Sequence, residues 1–190
     1  MDIKTITPSD YKKTVWSGGT TTQLYIYPTQ KEFKANNYDF RLSIASVEIE
    51  ESIFTKLPSV NRTLMVLDGE ITLTHESHHE KNLKKFESDQ FLGDWTTKCL
   101  GTCTDFNLMT KGETSGTLTP ITFEGSKGLK LSASKQFTFF YLNKGMATIK
   151  IDDNKHQLNQ SELMVIREPH ESEITISSYG LTEIIQIDIK

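Results

Sequence analysis

The chain has 190 residues, enough for one full domain or two small ones, and carries a formal net charge of −4. No basic block is present, so nucleic acid and anionic membranes are excluded as partners on electrostatic grounds. No run of 18 apolar residues exists, so no membrane-spanning helix is expected.

The N-terminal "MDIKTITPSDYKK" lacks an apolar core segment, which predicts no signal peptide and a cytoplasmic protein. Short helices are expected only near Ser9–Lys13 and Ser52–Lys56. "VWSGGTTTQLYIYP" (15–28) places Trp16, Ser17, Gly18 and Gly19 ahead of a strand at Leu24–Tyr27. Glycines there bring backbone N–H groups close to a ligand, or they simply turn the chain while Trp16 fills core. "DFRLSIASV" alternates Phe40, Leu42 and Ile44 against Arg41, Ser43 and Ala45, the period of a half-buried strand. "EITLT", "ATIKID", "EITIS" and "LTEIIQIDI" alternate in the same way. Turn residues recur between them, as Asp68-Gly69, Lys144-Gly145 and Tyr179-Gly180.

"LMVLDGEITLTHE" (64–76) and "FFYLNKGMATIKID" (139–152) share one form: apolar strand, glycine turn, alternating strand. "KKFESDQFLG" and "HQLNQSELMV" then match as following turn and strand, with Phe91 set against Leu163 and a first hairpin lengthened by "HESHHEKN". The repeat predicts an all-β fold of two tandem jelly-roll barrels. The expected boundary falls in "TKGETSGT", giving barrels over 1–112 and 113–190, with the N-terminal strand free to cross over.

Tandem barrels of this kind resemble cupins, whose metal is held by histidines and a glutamate seven residues before the turn glycine. Those positions hold Arg62 and Thr138 here, and "TKLPSV" and "SASKQF" supply no histidine pair. No metal and no other cofactor is therefore expected. Arginine in place of a carboxylate suggests an anion site, because its planar fork suits a carboxylate or phosphate. His75, His78 and His79 read as the solvated tip of a long hairpin, and the Lys81, Lys84, Lys85 cluster as a solvated loop. His170 has no partner ligands in sequence. Cys99 and Cys103 read as reduced thiols. In "TDFNLMTKG" Asp105, Asn107 and Met109 share a face, as Arg41 and Ser43 do in theirs. If both faces line a lumen, Arg41, Arg62, Asp105 and Asn107 converge on one polar pocket. An Arg41–Asp105 structural ion pair is the alternative.

"VWSGGTTTQL", "FRLSIASVE", "FTKLPSVNRTLMVLDGE" and "CTDFNLM" stand in the order and spacing of the HutD/Ves family, which this chain resembles over about residues 13–112. Ser17 departs from the usual asparagine, Asn61 from the usual acidic residue, and "TKG" from a common Arg pair. The resemblance implies a cytoplasmic bacterial bicupin, linked in several bacteria to histidine-utilisation operons and in its Ves branch to cold or stress. It implies a small-molecule binder or governor of that pathway, with a formylglutamate-like carboxylate as ligand. The expected ligand-binding set is Trp16, Gly18, Gly19, Arg41, Ser43, Arg62, Asp105 and Asn107. The alternative is a metal-independent acid–base isomerase or lyase using Asp105. A structural role in an assembly ranks third, and a homodimer is allowed for.

Overall fold

The computed structural model describes residues 1–28 and 37–190, and its regular structure is β-strand apart from one 3-10 turn at Pro8–Asp10. β1 (Asp2–Ile6) precedes that turn. β2 (Lys12–Trp16), β3 (Gly19–Tyr27), β4 (Phe40–Val47), β5 (Glu51–Ile53), β6 (Val60–Gly69), β7 (Ile71–His75), β8 (Glu80–Leu83), β9 (Ser88–Leu92), β10 (Thr97–Leu100) and β11 (Cys103–Lys111) follow. β12 (Gly116–Phe123), β13 (Ser126–Leu131), β14 (Phe137–Lys144), β15 (Met146–Ile151), β16 (Asn154–Asn159), β17 (Leu163–Arg167), β18 (Ser172–Ser178) and β19 (Thr182–Ile189) complete the chain.

The strands form two compact units. Tyr11–Ser115 is one, and Met1–Asp10 with Gly116–Lys190 is the other. The boundary at 115/116 lies three residues beyond the sequence-based one, and β1 pairs with β17 inside the C-terminal unit. The N-terminal unit has a six-stranded sheet, β2-β3-β4-β11-β6-β9, and a four-stranded one, β5-β10-β7-β8. The C-terminal unit has a five-stranded sheet, β1-β17-β14-β19-β12, and a four-stranded one, β13-β18-β15-β16.

Each unit encloses an apolar core fed by both of its sheets. In the C-terminal unit Phe140, Leu142, Met164, Ile166 and Ile184 meet Ile149, Ile151, Leu158, Ile174 and Ile176. In the N-terminal unit Leu64, Val66 and Phe91 meet Ile71, Leu73, Leu83 and Cys99. Alternate positions of period-two strands supply these residues, as the sequence pattern requires.

Neither expected helix forms beyond a single 3-10 turn. Within Ser9–Lys13 only the turn at Pro8–Asp10 is helical, held by Thr7 donating its N–H and Oγ1–H to the Asp10 carboxylate at 3.0 and 2.9 Å. From Lys12 the chain pairs with β3, favoured by β-branched Thr14 and Val15. The Ser52–Lys56 segment begins in β5, whose Glu51–Ile53 pair with Lys98–Leu100.

The internal repeat is real in the register, with one correction. Gly69 and Gly145, 76 residues apart, both close their hairpins with left-handed φ, +88° and +92°. Both long strands carry a register irregularity just before that glycine. Met65 pairs with Ser88, and Tyr141, 76 residues further on, pairs with Leu163. Ser88, not Phe91, is therefore the counterpart of Leu163, 75 residues away, and the two repeats differ by one residue at this point rather than four. The apolar likeness of Phe91 to Leu163 hides this register, because the equivalent strand starts with polar Ser88 and Asp89.

A Cβ on Gly69 would lie 2.5 Å from the Thr102 carbonyl oxygen, in addition to the strained φ. Gly69→Ala should cost about 2 kcal/mol or more in chemical denaturation, whereas Gly128→Ala, with nothing within 4 Å of its Cβ, should stay within about 0.5 kcal/mol.

Candidate functional site

A cavity of about 540 Å³ lies within the N-terminal unit. Its wall is built by alternation. β4 turns Arg41, Ser43, Ala45 and Val47 to it, β6 turns Arg62 and Leu64, and β11 turns Asp105, Asn107 and Met109. Phe40, Leu42, Phe106 and Leu108, the residues between, are buried on the opposite face. Register sets the rows: Met109 pairs with both Arg41 and Arg62, and Asn107 pairs with both Ser43 and Leu64. Lys12, Thr14, Trp16, Thr21 and Gln23 from β2 and β3 close one side, and Ser52 to Thr55 with Leu57 contribute the other.

Both arginines are buried, Arg62 at 9 % exposure. Arg41 donates Nε–H to Gln23 Oε1 at 2.9 Å and a terminal N–H to Ser43 Oγ at 3.0 Å. The Arg62 guanidinium lies over two rings, 4.8 Å from the centre of Phe54 and 5.0 Å from that of Phe91. One of its terminal N–H groups reaches Asn107 Oδ1 at 3.3 Å, while its Nε is buried without a hydrogen-bond partner. Asn107 passes the link on, its amide donating to Asp105 Oδ1, and the Cys103 thiol donates to Asp105 Oδ2 at 3.5 Å.

Burial governs the charges. It pulls both guanidiniums down to about 10, against the pull of Tyr38 on Arg41 and of Asp105 on Arg62, so both remain cationic at neutral pH. Burial pushes the Asp105 carboxyl up to about 6, opposed by Arg62 and by hydrogen bonds from Cys103 and Asn107. Burial next to Asp105 also raises the thiols, Cys99 to about 11 and Cys103 further. Both cysteines are free.

Of the residues singled out in sequence, Trp16, Arg41, Ser43, Arg62, Asp105 and Asn107 line this one cavity. It is Arg62, through Asn107, that connects to Asp105. Gly18 and Gly19 are not among the lining residues. Their small size serves a close approach instead. Gly18 accepts a hydrogen bond from the Glu48 N–H at 2.8 Å, and a Cβ on Gly19 would lie 1.8 Å from the Ser46 carbonyl oxygen. Met109, which alternation placed on the face of Asp105 and Asn107, completes the surroundings of the arginines together with Gln23, Phe54 and Phe91, which carried no distinguishing signal in sequence.

The histidines require a correction. His75 is not at a solvated tip: it ends β7, is 2 % exposed, and sits within hydrogen-bond distance of Thr97 Oγ1 (2.8 Å) and Asp89 Oδ2 (3.0 Å). His79 Nε2 approaches the same Asp89 oxygen at 2.9 Å. His170 is exposed and lies 3.6 Å from Asp152.

The sequence matches the HutD family over residues 8–182. Among curated protein sequences, none matches this one. The structure is similar to that of a conserved protein of unknown function, PA5104 of Pseudomonas aeruginosa PAO1, over 100 % of both chains, with a TM-score of 0.88 and 17 % identity. It is similar to HutD from Pseudomonas fluorescens SBW25 over 100 % of this chain and 98 % of that one, at TM-score 0.76 and 18 % identity. An S161A mutant of oxalate decarboxylase from Bacillus subtilis aligns over 97 % of this chain and 76 % of its own, at TM-score 0.71 and 6 % identity. At these identities the likeness establishes a cupin-like all-β fold.

Asp105 has a measurable consequence for stability. Its folded-state value of about 6 exceeds the ordinary 3.8, so ionisation is disfavoured in the folded chain. The associated stability is fully present below about pH 3.8 and is lost as pH rises through 6. An asparagine cannot ionise and keeps an oxygen for Asn107. Asp105→Asn should therefore match wild type near pH 4 and exceed it by up to about 3 kcal/mol at pH 8, read by urea denaturation at the two pH values.

Proposed function

The chain belongs to the HutD family, and from that premise we propose that it is a cytoplasmic binding protein for a small carboxylate, built as two tandem cupin-like barrels and acting as a regulator of histidine utilisation. The observation that carries this reading is the buried Arg62 Nε with no acceptor, in a cavity that also holds Arg41 and the Asn107 amide. A buried donor left unmade is costly, and a carboxylate oxygen would satisfy it with a charge-assisted bond. Arg62 stands where the cupin pattern places a metal-binding glutamate, so the cavity meets anions through guanidinium groups. The oxalate decarboxylase neighbour has Mn(II) centres and acts on a small dicarboxylate by name, and the P. fluorescens HutD structure was determined in a formate condition. A formylglutamate-type dicarboxylate, one arginine for each carboxylate, fits this arrangement.

One observation favours a second reading. A carboxyl tuned to about 6 is suited to proton transfer near neutral pH, which would make Asp105 the acid–base group of a metal-independent isomerase or lyase. Conversion of a bound carboxylate, followed by proton NMR and abolished in Asp105→Asn, would select that reading over simple binding.

Calorimetry with formylglutamate, formate and other small carboxylates, each set against its neutral amide, tests the proposal. A carboxylate should bind more tightly than its amide, and Arg62→Ala should weaken it by about tenfold or more, since each charge-assisted bond contributes roughly 1.5–3 kcal/mol. Equal binding by Arg62→Ala, or no carboxylate below millimolar, would overturn the proposal.

Affinity should also depend on pH with a defined sign. Protonating Asp105 removes the one acidic charge among the described residues that line the cavity, so carboxylate affinity should rise as pH falls from 8 through about 6, and Asp105→Asn should flatten that profile.

A further inference from the structure

A second constellation lies in the same unit but outside the arginine cavity. The tight turn after β7, closed by His75 accepting from His78 N–H at 2.9 Å and donating N–H to His79 O at 2.8 Å, folds the His79 ring over that of His75, 4.6 Å between centres. Asp89 projects from β9 to meet both. Its Oδ2 lies 3.0 Å from His75 Nε2 and 2.9 Å from His79 Nε2, and the three ligand atoms are mutually within 4.8 Å.

The internal repeat shows that the fold does not ask for polar groups here. His75 corresponds to Ile151, 76 residues on. Asp89 pairs with Leu64 as Met164 pairs with Phe140, and Thr97 pairs with His75 as Ile174 pairs with Ile151. Ile151, Met164 and Ile174 are all fully buried members of the C-terminal unit's core. The N-terminal unit thus has an imidazole, a carboxylate and a hydroxyl, each no more than 6 % exposed, where the other has three apolar core side chains. Buried polar groups cost free energy that an apolar set would not.

We propose that His75, His79 and Asp89 form a binding site for one divalent transition metal of the zinc class. Two imidazole nitrogens and one carboxylate oxygen suit zinc and its neighbours rather than magnesium or calcium. Zinc-like bonds of about 2.0–2.2 Å require donors roughly 3.3 Å apart, so Asp89 Oδ2 parts from each nitrogen by a few tenths of an ångström while the two nitrogens, within 4.8 Å of each other, close toward that spacing. His79 is 40 % exposed at its side chain, leaving water access for a fourth ligand. Thr97 Oγ1, at 2.8 Å from His75 Nδ1, accepts from Nδ1–H when Nε2 takes a metal and donates to Nδ1 when Nε2 holds the proton. The nearby cation, Lys81, lies 3.8 Å from the other Asp89 oxygen and is itself bonded to the Ser88 carbonyl, and Gln90 N–H holds that same oxygen at 3.0 Å. A metal at this site departs from the sequence-based expectation of a protein that holds no metal.

The test uses tag-free full-length protein dialysed against chelator and titrated with Zn²⁺ by calorimetry. One Zn²⁺ per chain should bind with a Kd of about 1 µM or tighter. His79→Ala and Asp89→Asn should each weaken binding at least about tenfold, and Thr97→Val by about ten- to a hundredfold through the tautomer it supports. His170→Ala, altering an exposed histidine beside Asp152, should change nothing. Trp95, whose ring centre is 5.5 Å from His75 and 5.9 Å from His79, gives an independent readout: Cu²⁺ should quench it in wild type and lose that effect in His79→Ala. His79 is at the surface, so that variant keeps the test open if the buried ones misfold. No saturable binding tighter than about 100 µM, or wild-type binding by His79→Ala, would overturn the site and leave a hydrogen-bonded His–Asp–His cluster.

Discussion

The N-terminal unit is organised around a buried cation. The Arg62 guanidinium is held by two aromatic faces and one amide oxygen, and its carboxylate counterpart, Asp105, is kept one residue away by Asn107. Because the opposite charges do not close on each other, the arginine stays available to the cavity and burial raises the carboxyl to about 6. A direct Arg–Asp pair would have satisfied both groups and removed the site. The strand register enforces the separation, since Arg62 pairs with Met109 whereas Asp105 pairs with Val66 across the bulge.

The two units use one strand plan for different ends. At the positions of Arg62, Asp105 and Asn107 the C-terminal unit has Thr138, Ile184 and Gln186. Thr138 donates to Asp188 at 2.7 Å, and Gln186 donates to the same carboxylate at 3.1 Å, so these polar groups satisfy one another. Ile184 joins the core. The same comparison separates His75, Asp89 and Thr97 from Ile151, Met164 and Ile174. The two polar constellations of the N-terminal repeat thus correspond to core aliphatic residues and a self-satisfied polar cluster in the other.

Much of this was legible in sequence because β-strand chemistry has period two. Arg41 and Ser43 against Leu42, and Asp105 and Asn107 against Phe106, declare their faces without any structure. Arg62 stood out by its place before the turn glycine. Gln23, Phe54 and Phe91 did not, because each reaches the arginines from a strand or loop whose pairing no local pattern announces. The histidines were misplaced for a related reason. A polar run of "HESHHEKN" looks solvated, and only the pairing of β7 with β10, and the approach of β9, show that its first residue is under cover. Gly18 and Gly19 resembled a ligand cradle, but the atoms crowding them belong to Ser46, Ile49 and Trp16.

The thiols beside Asp105 carry a consequence for reactivity. With Cys99 raised to about 11 and Cys103 higher still, on the order of one molecule in ten thousand or fewer has a thiolate here at neutral pH. The thiolate is the nucleophile, so the sulfur atoms behind the cavity wall are chemically silent. Aldehydes and formyl groups entering the cavity would meet no thiolate there, and the sulfur that lines it is the Met109 thioether. Burial first, and the Asp105 carboxyl second, keep both thiols protonated behind the charged groups of the site.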